Sequence, residues 1–301
     1  MKILVCDKTE KEAVDRMRSA GLTVDVRDDI TPEELPKVLP AYDGMVVRSR
    51  TKVRQPLIDV CPNLKVIVRG GVGLDTIDAD YAKSKGIMVM NTPMASSASV
   101  AELTVGYMFA LARSLYQASA SMKSEKWEKK SFEGDEIGGK TLGLIGVGNI
   151  GREVARRANA LGMTVIAYDP FVKSLDGVKL VKLDELLKQS DYISLHLPKT
   201  KESANMIGRD QFAQMKNGVR IVNCARGGII DENALYEALT GGKVAGAALD
   251  VYAEEPPTDW KLVKLPNVIC SPHIGAATKE AQGRVGAEVA DKLIAFAKNG
   301  K

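Results

Sequence analysis

The chain has 301 residues, 45% of them apolar and 27% charged, which is the balance of a globular protein long enough for two domains. Its net charge of +4 is small, and its densest basic run, residues 123–130, is broken by Glu125, Trp127 and Glu128, so nucleic acid is not an expected partner and small anions are. The longest apolar stretch, residues 100–112, is too short to span a bilayer, so no membrane partner is expected either.

In chain order, short β-rich runs alternate with helical patterns. The first series of strands is expected at 3–6, 22–26, 45–48, 65–68 and 87–90. Thr9 with Glu12 fits a capping box, and Thr31-Pro32-Glu33-Glu34 puts Pro at a first helical position. Ser99 with Glu102 fits another box, opening one long connecting helix to about residue 126. The second series is expected at 141–145, 164–168, 192–195, 220–223, 244–249 and 268–271. A terminal helix over 278–298 aligns Val285, Val289, Leu293 and Phe296 on one face. This alternation predicts α/β architecture with two doubly wound parallel sheets. The four cysteines show neither metal-ligand nor disulfide spacing. No metal is therefore expected, and the N-terminus reads as a strand rather than a signal peptide, so a cytoplasmic location is expected.

Strand 141–145 runs directly into Gly146-Val147-Gly148-Asn149-Ile150-Gly151, and a helix-forming segment follows. Gly146 permits the tight turn, Gly148 the close approach of a pyrophosphate, and Gly151 close packing of helix on strand. The helix N-terminus adds free N–H groups. Asp169 ends the next strand, 18 residues after Gly151, close to the offset of about 20 at which a carboxylate meets the cofactor ribose. A carboxylate there repels a 2′-phosphate, so NAD is expected rather than NADP.

Three later strand ends carry polar residues: Arg226, the acidic loop Asp250 to Glu255, and His273. In open α/β sheets such ends face the ligand. Arg226 can fork onto the carboxylate of a 2-hydroxy or 2-oxo acid. His273 can take and return the hydroxyl proton. Glu255 can bond its far ring nitrogen. Each residue alone has an ordinary reading as a surface or structural group; their conjunction beside a nucleotide loop favours catalysis. His196, the other histidine, reads as structural or cofactor-lining.

At these residues the chain resembles the D-2-hydroxyacid dehydrogenase family. The resemblance is carried by Val47-Arg48-Ser49, Arg69-Gly70-Gly71-Val72-Gly73-Leu74-Asp75, Asn91-Thr92-Pro93 and the segments 146–151, 223–231, 249–257 and 271–277, and covers nearly the whole chain. It implies an Arg226, Glu255, His273 catalytic set, with Glu255 rather than Glu254 partnering the histidine. It implies a flavodoxin-like substrate-binding domain, residues 1–94 and 279–301, interrupted by a Rossmann NAD-binding domain, residues 95–278. Cofactor contacts carried over by position are Val72, Asn149, Ile150, Asp169, Leu197, Cys224, Ala225, Asp250, Gly275 and Ala276.

On the substrate side the resemblance implies Arg48, Ser49, Arg69, Val72 and Gly73, with Lys129 reaching a neighbouring subunit's site. It implies a homodimer, or a tetramer, built on the helix after Ser99. The activity implied is NAD-dependent oxidation of 3-phospho-D-glycerate to 3-phosphohydroxypyruvate, the first step toward serine. Glyoxylate or hydroxypyruvate reduction is the alternative, and an NAD-sensing corepressor-like binding protein the remoter one. Met94-Ala95-Ser96-Ser97 departs from relatives that carry Asn and Gly there. Since the sequence stops at Lys301, no C-terminal regulatory domain is expected. Cys224, next to the predicted centre, is a candidate for oxidation.

Overall fold

Strands covered on both faces need apolar side chains at successive positions, and period two sends neighbours to opposite faces. The first sheet obeys this closely. Leu4, Met45, Val47 and Ile67 enter one buried cluster with Leu35, Leu39, Leu57 and Ile58. Ile3, Val5, Val46, Val66 and Val68 enter another, with Val14 and Met17. The computed structural model describes residues 1–299 and divides into two units, Met1–Ser97 with the segment from Ala276 on, and Ala98–Gly275.

In the first unit β1 (Lys2–Val5), β2 (Thr23–Val26), β3 (Gly44–Val47), β4 (Val66–Arg69) and β5 (Met88–Asn91) pair in parallel, in the order β2-β1-β3-β4-β5. This is the flavodoxin-like order, and the direction of winding reverses between β1 and β3. The helix Lys279–Asn299 packs with helix Lys11–Ser19 over the Ile3–Val5 face. Val285, Val289 and Leu293 are buried there, and Phe296 packs against the same cluster.

In the second unit β6 (Thr141–Ile145), β7 (Thr164–Tyr168), β8 (Lys179–Leu180), β9 (Tyr192–Leu195), β10 (Val219–Asn223), β11 (Val244–Leu249) and β12 (Val268–Cys270) form an all-parallel sheet. Its order is β12-β11-β10-β9-β6-β7-β8. Counted from β6, this is the Rossmann order with one strand added, reversing between β6 and β9. A Cβ at Gly143 in β6 would come within 2.2 Å of Ser190 Oγ and 2.7 Å of Leu186 Cδ2, so the glycine sets how closely the helix Leu183–Gln189 lies on the sheet.

The structure departs from expectation in its details. The two-residue edge strand β8 has no periodicity to announce it. The single connecting helix is two, Ser97–Ala112 and Leu115–Lys123, broken at Ser114, whose φ is 47°. Ser99 is therefore inside a helix rather than capping one, and its hydroxyl donates to Gly275 O at 2.6 Å. Thr9 does not cap the first helix; its hydroxyl donates to Asp7 O at 3.0 Å. The Thr31 and Glu34 reciprocal bonds are present, at 3.2 and 3.3 Å, but they close a turn before the helix Leu35–Val38, so Pro32 is not at its first position. Among the described residues no helix is long and apolar enough to cross a membrane.

Candidate active site

The glycine loop is fixed by steric need. Gly146 has φ 93°, a region that favours glycine, and a Cβ on it would sit 2.5 Å from His196 O. A Cβ on Gly151 would lie 2.3 Å from Gly146 O, so the helix starts directly against the turn. Around Gly148, which precedes helix Asn149–Ala160, a Cβ would meet nothing within 4 Å. Two glycines thus pack the loop and the third leaves an open face above a helix N-terminus, which is what a pyrophosphate requires. Asn149 and Ile150 form the first turn, with Ile150 partly buried against the sheet. Asp169 closes the arrangement: its Oδ2 accepts the Val147 N–H at 2.9 Å, and its Oδ1 accepts those of Phe171 and Val172 at 2.9 and 3.2 Å.

Beyond β9, His196 has Nε2 2.9 Å from Ser194 Oγ, while its Nδ1 is buried without a protein partner. Burial pushes the ring down to about 3, so it is neutral near pH 7 and unsuited to trade protons there. Leu197, next in the chain, is half-buried against the core.

After β10, the buried Asn223 braces the turn. Its Oδ1 accepts the Ala225 N–H at 3.0 Å and its Nδ2 donates to Arg226 O at 3.0 Å. This leaves Cys224 and Ala225 buried and Arg226 half-buried, with Nη1 donating to Ala225 O at 2.6 Å. Burial raises the Cys224 thiol to about 12. A thiol held protonated is a poor nucleophile, which argues against the oxidation-sensitive role.

After β11 and β12, Glu255 and His273 meet. Glu255 Oε2 lies 2.7 Å from His273 Nδ1, with the side chains 37% and 47% exposed, and Glu255 Oε1 accepts the Tyr252 N–H at 3.2 Å. The partner is thus Glu255; Glu254 turns to Thr258 Oγ1 at 2.8 Å. The hydrogen bond and charge of Glu255, with the charge of Asp250, raise the His273 pKa against burial and Arg226. Burial pushes the Glu255 carboxyl up, but the His273 bond and charge, the Tyr252 N–H and Arg226 bring it below its usual value. His273 itself holds φ 53°, a left-handed conformation that the surrounding turn must support. Asp250 provides that support, accepting the N–H groups of Ile274 and Gly275, both at 2.7 Å.

The residues expected on the substrate side sit at the carboxyl edge of the other sheet. Arg48 and Ser49 follow β3, and Arg69 ends β4 paired in register with Val47. The Arg48 stem crosses Gly70, and Arg48 Nη1 donates to Lys8 O at 3.3 Å. The Arg69 guanidinium lies over Gly71, where a Cβ would crowd it. The loop carrying Val72 and Gly73 is tied to the end of β5: Gly71 N–H donates to Thr92 Oγ1 at 2.8 Å, and Asn91 Nδ2 donates to Val72 O. Ala276 O accepts Gln282 Nε2 at 2.6 Å. Lys129 is exposed, in a 3-10 turn of the second unit.

Two residues missed in the sequence organise this edge. The buried Asp7 accepts the Arg48 N–H, the Thr51 N–H at 3.3 Å and Arg50 Nε at 2.9 Å. Arg50 also donates to Ile30 O at 3.2 Å and to Cys6 O, so its charge is spent inside the fold. The usable signal was positional, since Asp7, Asp169 and Asp250 all lie within two residues of a strand end.

Residues 105–275 match the D-isomer specific 2-hydroxyacid dehydrogenase, NAD binding domain, family. The chain is 50% identical over 99% of its length to a D-3-phosphoglycerate dehydrogenase of Archaeoglobus fulgidus, spanning 58% of that protein. It is 51% identical to a hydroxypyruvate reductase of Thermotoga maritima, covering 97% of each chain. It superposes on the crystal structure of a D-lactate dehydrogenase from Aquifex aeolicus, complexed with NAD and lactic acid, with TM-score 0.87 and 33% identity, over 99% of this chain and 96% of that one. The chain thus spans little more than half of one of these relatives and nearly all of the others. It belongs to the D-isomer specific 2-hydroxyacid dehydrogenase family and carries that family's NAD-binding domain.

Proposed function

We propose that the chain is an NAD-dependent dehydrogenase oxidising the C2 hydroxyl of 3-phospho-D-glycerate to give 3-phosphohydroxypyruvate. The observation that carries the oxidoreductase reading is the 2.7 Å His273–Glu255 pair, at the same sheet edge as the glycine loop. With Nδ1 engaged by Glu255, His273 Nε2 is the atom for the hydroxyl proton. The neutral ring accepts it in oxidation, and Glu255 and Asp250 stabilise the imidazolium that results. Arg226 binds the substrate carboxylate and polarises the C2 oxygen. NAD, when bound, supplies the two-electron acceptor. The open face at Gly148, the first turn at Asn149 and Ile150, and Asp169 Oδ2, which has one protein donor, fit its pyrophosphate and ribose. A further anion at the 2′ position would meet the Asp169 carboxylate, which favours NAD over NADP.

The phosphorylated substrate is supported by the A. fulgidus relative's name and by Arg48 and Arg69 at one edge, since arginine forks suit phosphate. Hydroxypyruvate reduction is the second reading, favoured by the name of the T. maritima relative of equal identity. A substrate profile with NAD and NADP side by side decides between them. A phosphate-free acid exceeding phosphoglycerate by about tenfold in kcat/KM, roughly 1.4 kcal/mol, overturns the first reading. Arg48→Ala or Arg69→Ala should raise KM for phosphoglycerate more than for hydroxypyruvate; equal effects remove that residue from the phosphate site.

A homodimer is supported by exposed Phe109, Leu115, Tyr116, Met122 and Trp127 along the helices Ser97–Ala112 and Leu115–Lys123 and just beyond. Lys129 follows those residues in the chain and is proposed to reach a neighbour's site; sedimentation distinguishes dimer from tetramer. The four free thiols suit a reducing compartment such as the cytoplasm.

A further inference from the structure

Asp250 is 1% exposed and Tyr107, on helix Ser97–Ala112, is 7% exposed. Between them stands Ser271, two residues before His273. The Ser271 hydroxyl donates to Asp250 Oδ1 and is hydrogen-bonded to the Tyr107 hydroxyl. Because the single Ser271 proton goes to the carboxylate, the Tyr107 O–H is the donor in the other bond. Asp250 in turn holds the Ile274 and Gly275 N–H groups at 2.7 Å. The Ser271 carbonyl is pinned separately, by the Tyr252 hydroxyl at 2.9 Å.

We propose that Tyr107 and Ser271 are positioning residues. Their hydroxyls act in series to fix the Asp250 carboxylate, and through it the left-handed turn that aims His273. The inference rests on the reading of His273 as the proton carrier. Five hydrogen bonds converge on a turn whose φ of 53° at His273 is not self-supporting, and a buried carboxylate that loses a donor must move or take a replacement. Glu255 sets the ring's partner; the Tyr107–Ser271–Asp250 series sets where the backbone puts the ring. The ionisable groups acting on this cluster are Glu255 and Arg226 on His273, and Cys224, Cys270 and Tyr252 near Asp250 and Tyr107.

The test is a double-mutant cycle on the full chain with Ser271→Ala, Tyr107→Phe and both, with Ser271→Thr as rescue. The measurements are kcat, KM and NAD affinity. Ser271→Ala should lower kcat about tenfold, because a small displacement of an acid–base group is costly, with NAD affinity within about twofold. Tyr107→Phe should lower kcat by less, and add nothing on the Ser271→Ala background, because the hydroxyls act in series. Ser271→Thr should restore kcat. An unchanged kcat in Ser271→Ala, or losses that multiply in the double variant, overturns the proposal. His273→Ala run alongside separates the two claims: retained turnover there defeats the proton-carrier reading, whereas its loss with intact Ser271→Ala turnover defeats the positioning series alone.

Discussion

Asp7 and Asp250 occupy equivalent places in the two sheets and are used differently. Each lies just past a strand end, each is buried, and each accepts two main-chain N–H groups from the loop after the neighbouring strand. Asp7 also takes the Arg50 guanidinium, so its charge is balanced where it stands. The donors to Asp250 are uncharged, and its field reaches His273. One brace shapes a loop with its charge paired to Arg50. The other shapes a turn and keeps a negative charge for the group it holds. The same topological solution therefore gives an anchoring edge in one unit and, in the other, the edge proposed to handle the proton.

The contrast is breakable. The largest effect should come from His273→Ala, lowering turnover by about a thousandfold while NAD affinity stays near normal; ordinary turnover by stopped-flow or steady state would end the proton-carrier assignment. Glu255→Gln comes next, with a loss on the order of tenfold and a pH signature. Glu255 raises the His273 pKa, and oxidation needs the neutral ring, so the acid limb of the oxidation profile should move to lower pH. A limb that stays put would mean another group titrates.

Smaller effects separate the two aspartates. Asp250→Asn should lower kcat more than it raises KM. Asp7→Asn should raise KM for the anionic substrate, leave kcat close to normal, and cost about 2 kcal/mol in urea unfolding, since it sets an amide against donors. If both variants act on the same kinetic parameter, the division of labour is wrong. The smallest effect concerns His196, whose pKa falls from 6.5 to about 3 in the fold. Below pH 6.5 the unfolded ring gains a proton that the folded one refuses, so stability drains away as pH falls from 6.5 toward 3. His196→Asn should flatten the urea midpoint against pH across that window; an unaltered slope would place the acid sensitivity elsewhere.

The dinucleotide loop was readable because its requirements are local. Gly146 must turn, Gly151 must let helix meet strand, and both constraints act within six residues. The strands were readable because period-two burial is written in Ile3–Val5 and Val66–Val68. The helix break at Ser114 was hidden, since nothing in its neighbours forbids continuing. Ser99 and Thr9 look like caps by spacing, yet the Ser99 hydroxyl goes to the distant Gly275 O and the Thr9 hydroxyl turns back to Asp7 O, two residues before it. Asp7 was marked only by its place just past a strand end: its partners Arg48, Arg50 and Thr51 lie more than forty residues away.

By itself the sequence determined the two parallel-sheet series, the glycine loop with a carboxylate after the next strand, and the residue types able to move a proton and bind a carboxylate. These depend on periodicity and on chemistry within a few positions. Only the tertiary structure decided that His196 is held neutral and that two buried aspartates organise the two edges. Those outcomes depend on burial and on hydrogen bonds between strands distant in the chain, which no spacing along it encodes.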